Sequence, residues 1–176
     1  SDWEQFLGPT GDGKSPERGL ITPWPAGGPR LVWQQRTGVG YGMPAISRGR
    51  LFQFDRHGAA ARLTCHNATT MAELWRFEYP TDYEDMFGYD NGPRCQPVVD
   101  ADRVYIFGAE GMLQCLKVLD GTLLWKGDTA RDLGVITNFF GVGSTPIVEG
   151  DLLIVHVGGS PSESKLVPPG QLDMVK

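Results

Sequence analysis

The run CQPVVDADRVYIFGAEGMLQCLKVLDGTLLW, Cys95–Trp125, decides how the rest of the chain is read. Its apolar segments Gln96–Val99, Arg103–Phe107, Met112–Val118 and Thr122–Trp125 are separated by Asp-Ala-Asp, Gly-Ala-Glu-Gly and Leu-Asp-Gly. Short β-rich runs between tight turns predict a four-stranded antiparallel meander. One meander cannot bury both of its faces, so it requires neighbours. The chain supplies them as copies.

Pro44, Pro97 and Pro146 each open a copy, as PAISRGRLFQF, PVVDADRVYIF and PIVEGDLLIVH. Arg50 and Arg103, Phe52 and Tyr105, Phe54 and Phe107 are each 53 residues apart. Cys65 and Cys115, and Trp75 and Trp125, are 50 apart, because HGAAARL is three residues longer than the EGML of the second copy. The third copy begins 49 residues after the second. A period near 50 built from strand–turn–strand units predicts an all-β chain of four-stranded antiparallel propeller blades rather than a solenoid.

The count is the outer strand of one blade, two full blades, and the start of another at Ser144. That is an incomplete arc of about three to four blades, and the expectation is a ring completed by further sequence or by a second chain. Gly at 24 and Pro at 13 of 176 residues suit turns and strands, not helices. No apolar run approaches the about 18 residues of a membrane span. A net charge of −5 with scattered Lys and Arg argues against nucleic acid as a partner. No signal peptide is present in the sequence, and three widely spaced cysteines form neither a disulfide framework nor a zinc site.

Residues 1–29, rich in Gly-Pro, Asp-Gly and Pro-Trp-Pro turns, read as a segment that wraps a surface; residues 30–176 read as the partial propeller. Arg30–Gln35 is expected to be a strand, with Trp33 in the place of Trp75 and Trp125. The opening DWEQFLGPTGDG, the LVW strand and the blade end CLKVLDGTLLW together resemble the pyrroloquinoline-quinone-type (PQQ-like, also WD40-like) repeat propellers. The exported branch of that family, similar to the lipoprotein of the outer-membrane barrel-assembly machinery, is the nearest in pattern. The resemblance implies a periplasmic or extracellular protein. It also implies that the pattern Ala-x-Asp-x-x-Thr-Gly-x-x-x-Trp docks each Trp on the adjacent blade. Asp120, Gly121 and Trp125 keep that pattern; CHNATTMAELW ends in Trp75 but lacks the Gly. Interblade burial of Trp33, Trp75 and Trp125 is the expected role, with sugar stacking as its rival.

Loop length points to function. Trp33 to Pro44 is 11 residues, whereas Trp75 to Pro97 is 22 and Trp125 to Pro146 is 21. Two neighbouring blades thus carry insertions on one rim, where binding usually resides. The first, RFEYPTDYEDMFGYDNGPRC, offers Tyr79, Asp82, Tyr83, Glu84, Asp85, Tyr89, Asp90 and Arg94, with Phe87 among its aromatics; the second places Asn138, Phe139 and Phe140 at its tip. Such a loop has three readings: a packed Ω-like loop, a Ca²⁺ site of oxygen ligands, or an aromatic-acidic surface for a sugar or cationic peptide. Its aromatics are expected to meet those of the second insertion. Cys65, Cys95 and Cys115 read as small buried side chains, and His156, in the place of Phe54 and Phe107, as a core histidine.

No catalytic constellation and no metal set is legible. The first functional expectation is an exported, non-catalytic scaffold binding a protein, peptide or glycan on its long-loop face. The alternative is part of a quinoprotein dehydrogenase, with PQQ and Ca²⁺ as cofactors. The resemblance implies an adjacent Cys-Cys pair in such enzymes, and this chain has none.

Overall fold

The computed structural model describes residues 2–20, 23–134 and 140–158. Two four-stranded antiparallel sheets follow each other along the chain. The first is β1 Ala45–Ser47, β2 Arg50–His57, β3 Ala60–Asn67 and β4 Glu73–Pro80; the second is β5 Val98–Asp100, β6 Arg103–Phe107, β7 Met112–Lys117 and β8 Leu123–Asp128. A five-residue helix α1, Thr129–Leu133, precedes a two-stranded sheet of β9 Ile147–Glu149 and β10 Leu152–Ile154. The described residues are thus an all-β, open arc of propeller blades.

The repeat register survives into three dimensions. Cys65 pairs with Trp75 and Cys115 with Trp125, and in each sheet the ladder shifts just past the cysteine. Strand periodicity then divides the side chains between two faces. Phe52, Phe54, Leu63 and Cys65 of the first blade meet Val99, Val104, Ile106 and Leu116 of the second, with Trp75, Phe77 and Tyr79 packed against them. The opposite face of the second blade, through Tyr105, Phe107, Leu113 and Cys115, packs on Val148, Leu153, Val155 and Val157. Each fully buried Phe or Leu in this stack is worth roughly 1.5–3 kcal/mol of transfer free energy.

Three expectations need correction. Arg30–Gln35 forms no strand; beyond it Val39 makes an isolated bridge to Arg56. An outer strand needs an inner neighbour with an open edge, and none stands beside this segment among the described residues. The outer strands β4 and β8 run past their tryptophans, to Pro80 and Asp128, because β3 and β7 remain available as partners through Ala60↔Pro80 and Met112↔Asp128. Finally, His156 is exposed rather than in the core. It shares an outward face with Ile147, Leu152 and Ile154, which no described element covers.

The N-terminal segment lies along the inner edge. Trp3 and Ile46 exchange backbone hydrogen bonds of 2.7 and 3.0 Å, and Val99 N donates to Glu4 O at 2.8 Å, so residues 3 and 4 touch both blades. Among the described residues no helix is long and apolar enough to cross a membrane.

Candidate functional site

The first long loop is organised around an ion pair. Arg94 Nη2 donates to Asp85 Oδ2 at 2.6 Å with both side chains nearly buried. The same guanidinium donates to Gly92 O at 2.6 Å and Asp90 O at 3.0 Å, and lies over the rings of Tyr83 and Tyr41 at 5.2 and 5.7 Å. Cation–π contacts and carbonyls together offset the cost of burying that charge. Asp85 also accepts from Phe87 N, and its own N–H donates to Asn91 Oδ1, both at 2.8 Å. Asp90 accepts from Gly92 N at 2.6 Å and Gly40 N at 3.1 Å. Burial pushes the Tyr83 hydroxyl above its ordinary pKa, against the pull of Arg94.

Arg56 braces this loop from the end of β2. Its Nη1 donates to Tyr83 O at 2.5 Å and to Asn91 O at 3.0 Å. Sequence reasoning missed it: an arginine 27 residues before its acceptor leaves no local signal. The loop is a self-packed unit of the Ω kind.

What this packing holds outward is aromatic. Phe87, Tyr89 and Phe140 are 57%, 70% and 46% exposed, yet they contact one another. Phe87–Tyr89 stack at 6.0 Å between centroids, Tyr89–Phe140 stack at 6.3 Å, and Phe87–Phe140 tilt at 5.9 Å. The two insertions therefore meet through their rings, with exposed Met86 beside them in the chain. Such mutually oriented rings gain about 0.5–1.5 kcal/mol beyond area burial. The second insertion is started by α1, whose N-cap Asp128 accepts from Arg131 N at 3.0 Å.

The remaining loop candidates separate by position. Asp82 and Glu84 are exposed. Tyr79 belongs to β4, not to the loop; its ring packs on Phe54 at 6.5 Å and its hydroxyl is buried without a hydrogen-bond partner. Burial and the nearby Glu110 carboxyl drive that hydroxyl far above its ordinary pKa. Asn138 and Phe139 lie outside the described residues. Phe87 and Phe140 make the platform with Tyr89, the expected meeting of the aromatics of the two insertions.

The tryptophans play unequal parts. Trp75 Nε1 donates to Val118 O of the next blade at 3.0 Å, and Arg50 Nη1 donates to the same carbonyl at 3.2 Å. A Cβ on Gly121 would stand 2.5 Å from the Trp75 ring, so the Asp120-Gly121 turn is a cradle only glycine leaves open. The turn of the first blade keeps this geometry without the glycine: Met71 takes φ +58° and donates to Asn67 O at 2.8 Å, as Gly121 at φ +74° donates to Lys117 O at 3.0 Å. Trp33 and Trp125 are both 41% exposed. Trp33 lines a cavity of about 250 Å³ with Asp55, His57, Arg62, His66 and Met71.

Cys65, Cys95 and Cys115 are free, buried and far apart in sequence, so no paired-thiol ring can form. Among the described residues no three His, Cys, Asp or Glu side chains converge as a metal group. The inner cavity, about 710 Å³, is lined by Gln5, Tyr41, Arg94, Gln96, Thr145 and Glu149 among others, and its one arginine is committed to Asp85. Glu149 is the one carboxylate of this lining, too few hard ligands among the described residues to fit the quinone–calcium pair.

A family model described as the outer membrane protein assembly factor BamB matches residues 21–167. No curated protein sequence matches the chain. A europium-containing methanol dehydrogenase aligns over 74% of this chain and 23% of its own, at 17% identity and a TM-score of 0.56. A quinohemoprotein alcohol dehydrogenase from Comamonas testosteroni aligns over 69% of this chain and 17% of its own, at 17% identity and a TM-score of 0.50. BamB from Moraxella catarrhalis aligns over 66% of this chain and 45% of its own, at 17% identity and a TM-score of 0.37. The chain spans less than half of each of these structures. At such identity the first two describe a shared fold and nothing of activity.

Proposed function

Since this chain belongs to the family described as the outer membrane protein assembly factor BamB, we propose that it is a non-catalytic scaffold binding a protein, peptide or glycan on its long-loop rim. One observation carries the reading. Phe87, Tyr89 and Phe140 stay exposed while packing on each other, and a buried ion pair and Arg56 hold the loop beneath two of them. Exposed rings on a rigid base are suited to binding, since little ordering entropy remains to be lost. An exported location, periplasmic or extracellular, accompanies the family reading. The exposed Ile147, Leu152 and Ile154 favour further blades or a second chain as neighbours of β9–β10.

The test uses peptide and oligosaccharide panels on the whole chain. Replacing Phe87, Tyr89 and Phe140 by Ser together should abolish binding while the melting temperature holds. Binding retained by that triple variant overturns the proposal. The dehydrogenase alternative has the two solved structures behind it only as fold, and quinone-dependent dye reduction would restore it.

A further inference from the structure

The rim has a charge as well as a platform. Between Pro80 and Cys95 the chain holds four carboxylates and one arginine. Asp85 is turned inward onto Arg94, and Asp90 onto the N–H groups of Gly40 and Gly92. The cations nearby are already engaged: Arg94 inside the loop, Arg56 on the carbonyls of Gly58, Tyr83 and Asn91, and Arg131 on Asp132 at 2.9 Å. Asp82 and Glu84 are left facing solvent in the same loop as Phe87 and Tyr89.

A cavity of about 450 Å³ continues the negative surface between the starts of the two insertions. Asp82, Glu110 and Asp128 line it with Tyr79 and Thr81. Thr81 Oγ1 donates to Glu110 Oε2 at 3.3 Å, while Glu110 Oε1 is buried with no hydrogen-bond partner. Arg131 also borders the cavity, with its guanidinium paired to Asp132.

Resting on the binding function proposed above, we infer that the occupant of this rim is a basic polypeptide segment presenting lysine or arginine beside an apolar side chain. The apolar group meets the Phe87–Tyr89–Phe140 rings. Its basic neighbour meets Asp82 and Glu84, and ring faces add attraction for a guanidinium or ammonium. The loop already displays that last contact internally, in Arg94 over Tyr41 and Tyr83. A neutral glycan would use the rings and could donate hydroxyl hydrogen bonds to the carboxylates, but it carries no charge to complement theirs. An acidic peptide would be repelled by them.

The experiment is fluorescence anisotropy on the whole chain with three end-blocked peptides of equal length and Phe content, carrying Lys, Ser or Glu at the remaining positions. The Lys peptide should bind about ten-fold or more tighter than the other two and weaken several-fold as salt rises. The Asp82→Asn/Glu84→Gln variant should melt like the parent and lose most of that preference. Equal binding of all three peptides, or an undiminished preference in that variant, overturns the inference. If binding ignores charge but vanishes in the Phe87→Ala/Tyr89→Ala variant, or if only a neutral oligosaccharide binds there, the scaffold reading survives and the basic partner does not. Binding of the Lys peptide that ignores the aromatic substitutions, or no binding of any probe, removes both.

Discussion

Trp75 and Gly121 form a ring and its socket across the boundary between two blades. The indole N–H donates to Val118 O at 3.0 Å, and the missing Cβ of Gly121 is the space its six-membered ring occupies. Trp75→Ala should cost about 2–3 kcal/mol, below the roughly 3–5 kcal/mol of a fully buried Trp because this one is half-buried. Trp125 has no counterpart socket among the described residues, and Trp125→Ala should cost less than about 1.5 kcal/mol. Thermal or denaturant melts of the two variants compare them directly; equal losses would sink the socket.

Met71 and Gly121 occupy equivalent turns with opposite consequences. A non-glycine residue in the left-handed region costs roughly 1–2 kcal/mol, so Met71→Gly should leave stability unchanged or raise it by up to about 1 kcal/mol after the entropy of glycine is deducted. Gly121→Ala places a methyl 2.5 Å from the Trp75 ring at φ +74° and should destabilise by about 2–4 kcal/mol. A melt in which the two substitutions move stability by the same amount would contradict this assignment.

The blades were legible because strand period and repeat period agree: Phe52, Phe54 and Cys65 recur as Tyr105, Phe107 and Cys115, and each set faces the next blade. The limits of β4 and β8 were not legible, since Phe77 and Tyr79 look the same in a strand or in a loop. Only the length of β3 tells where pairing ends. Arg30–Gln35 has strand composition and no partner, and pairing is a property of two segments rather than one. Within the loop, Asp85, Asp90 and Arg94 were visible as charges, but sequence cannot say whether a carboxylate faces solvent or an arginine nine residues away. Here it faces the arginine, which moves the candidate surface to the rings.

The Asp85–Arg94 pair supports the platform from below, so breaking it on one side should be worse than losing both. Arg94→Met leaves Asp85 buried and uncompensated, at a cost of about 3–5 kcal/mol if the loop stays closed. The loop should open locally instead, exposing the amides of Phe87 and Gly92 to hydrogen exchange. The double variant Asp85→Leu/Arg94→Met should recover part of the loss. Unchanged exchange at those two amides in the single variant would show that the pair does not hold the loop.

The buried thiols make stability fall at high pH. Burial pushes the Cys95 thiol up to about 12, and its Sγ donates to Gln96 O at 3.0 Å, a bond the thiolate could not make. Cys65 and Cys115 are raised by burial as well, with Arg50 and Arg103 opposing. In the unfolded chain a thiol ionises near its ordinary value of about 8.5. Below that pH both states hold the proton and the full stability is present. Between about 8.5 and 12 the unfolded state releases a proton that folded Cys95 keeps, so stability declines by up to roughly 1.4 kcal/mol per pH unit for that thiol. Denaturant melts at pH 8, 9 and 10 should show the decline, and Cys95→Ala should flatten part of it while lowering stability at pH 7 only modestly. A thiol reagent at pH 8 should label none of Cys65, Cys95 and Cys115 until denaturant is added. Rapid labelling of Cys95 in the native protein would mean that the segment leading into β5 opens to solvent.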